Sequence, residues 1–284
     1  MALKRVANRE VFKGDLQKRG ASSESIFPLI QRMTVGMTLY EDDFLGPIID
    51  SNHYTLSNGT GGVAPAISVG KVGGQILVDA GGTDNGYSVL SGARNFRGDH
   101  GCVMVARLAT NNITAGKIEV GFVDEIAGVH AGFVSALATP TFTDTTGDCA
   151  LWVWDSDDTA NVTAINTASG GTITTGGWQG IAADVGNTTP MTKLQPTRGP
   201  AVDTYEYLMV ALEEDLAGTD LAAARFILAS GDGDMVYDSG WQDSAITDTI
   251  LLCPWIFAQN RDSGQDVDVL VDYLGVWQRS SKNA

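Results

Sequence analysis

Asp266–Arg279 reads DVDVLVDYLGVWQR. Val267, Val269, Val271 and Tyr273 fall on one face of an extended chain, and Asp266, Asp268 and Asp272 fall on the other, broken only by Leu270. A period of two with one charged face is the pattern of a half-buried strand. The alternation then gives way to Leu274, Val276 and Trp277, a more continuously apolar end. A strand this apolar must lie against a large surface, and we read it as the strand that closes a β-sandwich.

The chain before it repeats the same grammar. Candidate strands fall near Gln75–Ala80, Tyr87–Ser91, Cys102–Leu108, Lys117–Asp124, Gly132–Leu137, Ala150–Asp155, Tyr205–Glu213, Ala224–Ala229, Met235–Ser239 and Leu251–Ala258, ahead of Val267–Gln278. In Lys117–Asp124 the residues Ile118, Val120 and Phe122 share a face. In Cys102–Leu108 the set Cys102, Met104, Ala106 and Leu108 opposes Val103, Val105 and Arg107. Short strands separated by Gly, Asn, Asp and Thr turns indicate an all-β sandwich. Gly59–Gly74, Asp157–Gly177 and Gly186–Pro200 read as loops, and Leu216–Ala224 as a short helix or a loop.

Composition agrees. Among 284 residues there are 34 glycines, 43% hydrophobic residues and 18% charged ones, which suits a turn-rich β domain with a sizeable core. No run approaches the roughly 20 apolar residues of a membrane helix. The first twenty residues are basic but lack an apolar stretch, so they do not read as a secretory signal, and a soluble protein made in a cytoplasm is expected. Cys102, Cys149 and Cys253 are widely spaced and read as buried thiols.

Charge divides the chain. Residues 1–40 hold seven basic and three acidic side chains, a net of +4, which leaves −20 on the remainder of a chain whose total is −16. An acidic body repels nucleic acid. A basic arm suits an acidic partner surface. We divide the chain into an N-terminal arm, 1–40, and a β-sandwich domain, 41–284. Within the arm, Val11–Lys18 could form a helical turn or two, and Pro28 argues against a helix through the apolar patch Ile26, Phe27, Leu29 and Ile30.

The order of the pieces resembles the concanavalin A-like (laminarinase/LamG-like) jelly roll. The likeness rests on DDFLG (Asp42–Gly46), GGQILVDAGG (Gly73–Gly82), VMVARL (Val103–Leu108), KIEVGFVDE (Lys117–Glu125) and VDYLGVWQR (Val271–Arg279). Domains of this kind with an N-terminal arm are similar to structural proteins of tailed-phage virions. The resemblance implies a jelly-roll β-sandwich and a virion structural role.

Glycoside hydrolases of that fold carry ExDxxE on one strand, which aims carboxylates into one cleft. Here Glu119 is followed by Gly121 where the aspartate is needed, and Asp124 and Glu125 are adjacent, on opposite faces. His53, His100 and His130 sit in no nucleophile setting, and GxSxG is absent. No enzyme and no cofactor are therefore expected. The acidic runs Asp155–Asp158 and Asp232–Asp234 suit Ca²⁺ only loosely, and no metal is assigned. Trp178 and Trp241 follow glycines and are candidate rings for stacking on sugar. Trp152, Trp154, Trp255 and Trp277 lie in apolar runs and read as core.

The expectation is a capsid decoration (cement) protein located on the virion. Its partner is the major capsid protein or another virion subunit, and it is a homo-oligomer, with a trimer as one option. The anchoring residues would be Lys4, Arg5, Arg9, Lys13, Lys18, Arg19, Ile26, Phe27, Leu29 and Ile30 of the arm. The alternative is a carbohydrate-binding module of a phage fibre or tail. Neither nucleic acid nor membrane is expected as a partner.

Overall fold

The computed structural model describes residues 25–46, 48–68, 74–125, 132–136, 143–144, 147–157, 177–183, 198–214 and 220–279. Lys4, Arg5, Arg9, Lys13, Lys18, Arg19, the 11–18 segment, His130 and Asp158 lie outside them. One α-helix is present among these residues, α1 (Ile26–Met33). The strands are β1 (Thr38–Asp42), β2 (Tyr54–Gly59), β3 (Val63–Ile67), β4 (Ile76–Asp79), β5 (Tyr87–Gly92), β6 (Cys102–Thr110), β7 (Gly116–Val123), β8 (Val134–Ala136) and β9 (Thr143–Asp144). They continue as β10 (Cys149–Asp155), β11 (Gln179–Ala183), β12 (Glu206–Glu214), β13 (Leu221–Ser230), β14 (Met235–Thr247), β15 (Cys253–Asn260) and β16 (Asp268–Gln278).

Two antiparallel sheets form the sandwich. One runs β14-β13-β12-β6-β16-β4-β3 and takes β1 alongside β16, which makes eight strands; the other runs β11-β10-β7-β15-β5-β2. The strand from which the reading began lies inside the larger sheet. One edge of β16 pairs with β6, and the other pairs first with β4 and then with β1. The alternating sets meet between the sheets: Ile118, Val120 and Phe122 of β7 face Met104, Ala106 and Leu108 of β6, with Val267, Val269 and Val271 in the same core. Trp152 of β10 ties the layers, its indole N–H donating 3.0 Å to the carbonyl of Met209 on β12.

A register shift between Val271 and Tyr273 interrupts the pairing of β16 with β6. The extra residue turns the strand over. Leu274 and Val276 continue the inter-sheet core, whereas Tyr273 and Trp277 pack on the outer face. Strict alternation had put Tyr273 with the valines, and the bulge moves it.

The helix covers that outer face. Ile26, Phe27, Leu29 and Ile30 pack on Val103, Val105, Met209, Ala211, Ile227, Ala229 and Trp277. Pro28 does not prevent it, because it occupies the first turn, where an N–H has no intrahelical acceptor to lose. The N–H of Ile26 donates to the carbonyl of Gly233, and both the N–H and the hydroxyl of Thr34 close the helix on the Ile30 carbonyl. The four apolar residues assigned to capsid anchoring are thus buried within the body. Each contributes roughly 1.5–3 kcal/mol by burial, a gain lost if the helix leaves to bind a partner. With β1 paired to β16, residues 26–42 belong structurally to the sandwich.

Other elements shift modestly. Leu221 already opens β13, so the end of Leu216–Ala224 is strand. The supposed loop Gly59–Gly74 contains β3. Strands β2 and β11 were not read from the sequence, because YTLSNG and QGIAA carry few large apolar residues.

Candidate functional site

The outer face of the six-stranded sheet is where a hydrolase motif on β7 would point. Lys117 and Glu119 sit there, two residues apart on one face, both with fully buried side chains and 2.6 Å between Nζ and Oε1. Glu119 Oε2 also accepts from the Trp255 indole N–H at 3.1 Å and from the Phe133 backbone N–H at 2.9 Å. Lys117 Nζ stands 5.2 Å from the centre of the Phe257 ring. The lid on this group is the segment at Gly132 and Phe133. The Phe133 ring meets Trp255 edge-on with centroids 5.3 Å apart. Gly132 adopts φ +93°, and a Cβ there would lie 2.5 Å from Lys117 Nζ and 2.8 Å from Glu119 Oε1. The carboxylate is saturated by protein donors, so its chemistry is structural: it holds the 132–133 segment against the sheet.

Neither candidate tryptophan is an exposed platform. Trp178 is fully buried in the inter-sheet core. Its indole N–H donates 2.8 Å to Glu206 Oε2, and Arg198 approaches Glu206 Oε1 at 2.6 Å. Burial raises the Glu206 carboxyl above the ordinary range, against the lowering effect of Trp178 and Arg198. Trp241 lies within β14, which runs eight residues beyond the expected end at Ser239, and it is half-buried beside the outer-face cluster with Arg225 5.9 Å from its ring centre. Both indoles are apolar area that the fold uses internally. Trp152, Trp154, Trp255 and Trp277 are buried, as read.

Asp155 is engaged by Arg261, whose Nη2 lies 2.5 Å from Oδ2, and so offers no free carboxylate to a cation. Asp234 forms a bridge with Ser25 at the helix start. Among the described residues, one trio of carboxylates gathers ligand atoms within 4.8 Å of one another: Asp79, Asp266 and Asp268. Burial first, then the charges of Asp266 and Asp79, push Asp268 up to about 6.

A polar and aromatic group not found by sequence reading surrounds Arg107 on the outer face of the eight-stranded sheet. Arg107 is paired across the strands with Tyr207 on one side and Tyr273 on the other. Its guanidinium lies 4.3 Å from the Tyr205 ring centre and 5.6 Å from that of Tyr207, and it bonds Asp272, the residue at the bulge. Gln75 donates 2.6 Å to the Tyr205 hydroxyl. Burial raises Asp272, and Arg107 opposes that rise. Arg107 keeps about a quarter of its side chain exposed, and Tyr205 and Tyr207 are half-buried. The signal available in sequence was the placement of Arg107 on the face opposite Met104 and Ala106.

No protein-family model matches the sequence, and no curated protein matches it. Solved structures do. A Shewanella oneidensis MR-1 protein of unknown function superposes with a TM-score of 0.55 at 12% identity, over 93% of this chain and 97% of that one. The carbohydrate-recognition domain of Emp46p gives 0.52 at 9% identity, over 84% and 95%. Peanut lectin gives 0.50 at 10% identity, over 85% and 97%. At such identities the likeness shows the fold alone, and that fold is a concanavalin A-like jelly-roll β-sandwich.

Proposed function

We propose that this chain is a non-catalytic structural protein of a virion, a capsid decoration subunit tethered through its basic N-terminal residues. The observation that carries the reading is where the chain enters the body. Ser25 and Ile26 are tied to Gly233 at the β13–β14 turn, so the residue that follows the basic stretch 1–24 is held at a fixed point beside the helix-covered face. The apolar residues of α1 are consumed by the body, which leaves charge as the chemistry of attachment. Lys4, Arg5, Arg9, Lys13, Lys18 and Arg19 would meet an acidic shell protein, and that contact would be screened within about 8–10 Å at ordinary salt.

The test is co-sedimentation of the full chain with tailed-phage capsids that lack it, beside a variant carrying those six residues as Glu. Pelleting of the natural chain that is lost in the variant and weakened by salt is the expected result. Equal pelleting of both would place the interface on the acidic body. Pelleting of neither would end the virion reading.

Carbohydrate binding is the second reading. It is supported by the likeness to carbohydrate-recognition domains and by the half-exposed tyrosines around Arg107. Because Asp272 neutralises Arg107, the group suits neutral sugars rather than anionic ones. Loss of glycan binding in Tyr205→Ala, with thermal stability kept, would favour it. Absence of glycan binding by the natural chain would remove it.

A further inference from the structure

A sheet edge leaves backbone N–H and C=O groups ready to pair with another chain, and proteins commonly block such edges. Among the described strands the two sheets end on five edges, β14, β3, β1, β11 and β2, and four of them are blocked. The β14 edge carries Asp238 and Asp243 and departs from regular register with β13 in three places, and the β1 edge carries Glu41 and Asp42. The β3 edge contains Pro65 and a register shift between Val63 and Ala66. All five residues of β11 are buried.

The fifth edge, β2, has none of these devices. Tyr54–Gly59 pairs with β5 in unbroken register over all six residues, and no described strand pairs with its other side. It contains neither proline nor charge. Thr55, Leu56 and Asn58 are exposed, Leu56 by 38%. The loop before it and the strand after it add exposed Ile48, 78%, and Val63, 51%.

The charge pattern selects the occupant. The body is strongly acidic, and two copies repel across most of its surface. Residues 51–70 hold no Asp, Glu, Lys or Arg in a chain with 34 acidic and 18 basic residues. Along Tyr54–Gly59 two identical copies can pair without opposing like charges, and the carboxylate that precedes the strand, Asp50, is paired with His53. We infer that β2 is a self-association edge, where a second copy of this chain pairs antiparallel about a two-fold axis and extends the six-stranded sheet across both subunits. A two-fold contact of this kind is isologous and closes on itself, so it yields a dimer rather than a filament. Backbone pairing supplies the register, and Leu56, Val63 and Ile48 supply apolar cover. The inference is independent of how the basic residues 1–24 are used.

The test is analytical ultracentrifugation of the full chain from about 1 to 100 μM, where interfaces of ordinary size are populated. Leu56→Lys and, separately, Thr55→Asp are run alongside. A concentration-dependent dimer is expected, with its dissociation constant raised at least roughly tenfold in each variant, since one like-charge or desolvation penalty of about 1.4 kcal/mol gives that factor. Melting temperatures of the variants under dimer-free dilution serve as the folding control. A chain monomeric throughout the range overturns the inference. So does a dimer that both variants leave intact, or one whose β2 amides exchange equally fast at low and high concentration.

Discussion

Replacing Lys117 by Met tests how the outer face of the six-stranded sheet is sealed. The ammonium and the Glu119 carboxylate are both fully buried and 2.6 Å apart. Removing one member of a buried pair strands the other charge, at about 3–5 kcal/mol. In Lys117→Met the stranded carboxylate keeps the Trp255 and Phe133 donors, which places the cost toward the lower end. Glu119→Gln removes the carboxylate from the fully buried ammonium and falls in the same range. The double variant Lys117→Met/Glu119→Gln strands no charge, and its amide oxygen still accepts from Trp255 and Phe133. Its cost falls to about 1 kcal/mol, the scale of one neutral hydrogen bond. The coupling energy from the cycle is therefore on the order of 5 kcal/mol or more. Urea unfolding followed by tryptophan fluorescence measures it. Single-variant costs below about 1 kcal/mol, the value for exposed pairs, would show that water reaches the pair and that the Gly132–Phe133 segment does not close the face.

The remaining expectations are simpler. Gly132→Ala forces a side chain into a left-handed backbone and onto Lys117 and Glu119; it should cost at least about 2 kcal/mol in the same urea assay, and a neutral result would mean that the segment moves freely. Asp124 and Asp268 are both raised to about 6, chiefly by burial. A carboxyl whose folded pKa lies above its unfolded value binds more protons when folded, so this contribution to stability falls as pH rises from about 4 to 6. Asp268→Asn should therefore raise the melting temperature more at pH 7.5 than at pH 4, by the equivalent of roughly 1 kcal/mol after solvent screening; a pH-independent effect would contradict the cause given. Deletion of residues 1–36 should lower the melting temperature sharply and increase dye binding to exposed apolar surface, because Phe27 or a similar core residue alone is worth about 3 kcal/mol or more.

What could be read in the sequence was whatever alternation alone decides. The valines of Asp266–Arg279 and the Ile118, Val120, Phe122 set lie between the sheets because period two places them there. Breaks in period two stayed hidden. The bulge at Asp272 follows from pairing with β6 across more than 150 residues of chain, and nothing local announces it. Pro28 reads as a helix breaker because its place in a first turn depends on the tie of Ile26 to Gly233, some 200 residues away in the chain. Gly-Gly-Trp178 reads as an exposed loop because the acceptor for its indole, Glu206, is distant in sequence. The Arg107 group escaped notice for the same reason, as its members come from four separate stretches of chain.

These errors share a direction: side chains that look available locally are used up by the chain's own outer layers. Helix α1 covers one sheet, and the Gly132–Phe133 segment covers part of the other. The inter-sheet core and both of these outer clusters are apolar, so the described body has three buried layers where a bare sandwich has one. A sandwich covered in this way has little sheet face left for a ligand. Binding must then use what the coverings leave open, which is the Arg107 group beside the helix, the basic residues ahead of Ser25, and the uncharged edge at β2. The β2 edge presents backbone that no described strand pairs, and pairing there gives affinity through main-chain hydrogen bonds without a charged or aromatic side chain. With no large aromatic side chain exposed among the described residues and so much like charge on the chain, that makes the edge at Tyr54–Gly59 the least costly route to a stable contact between copies.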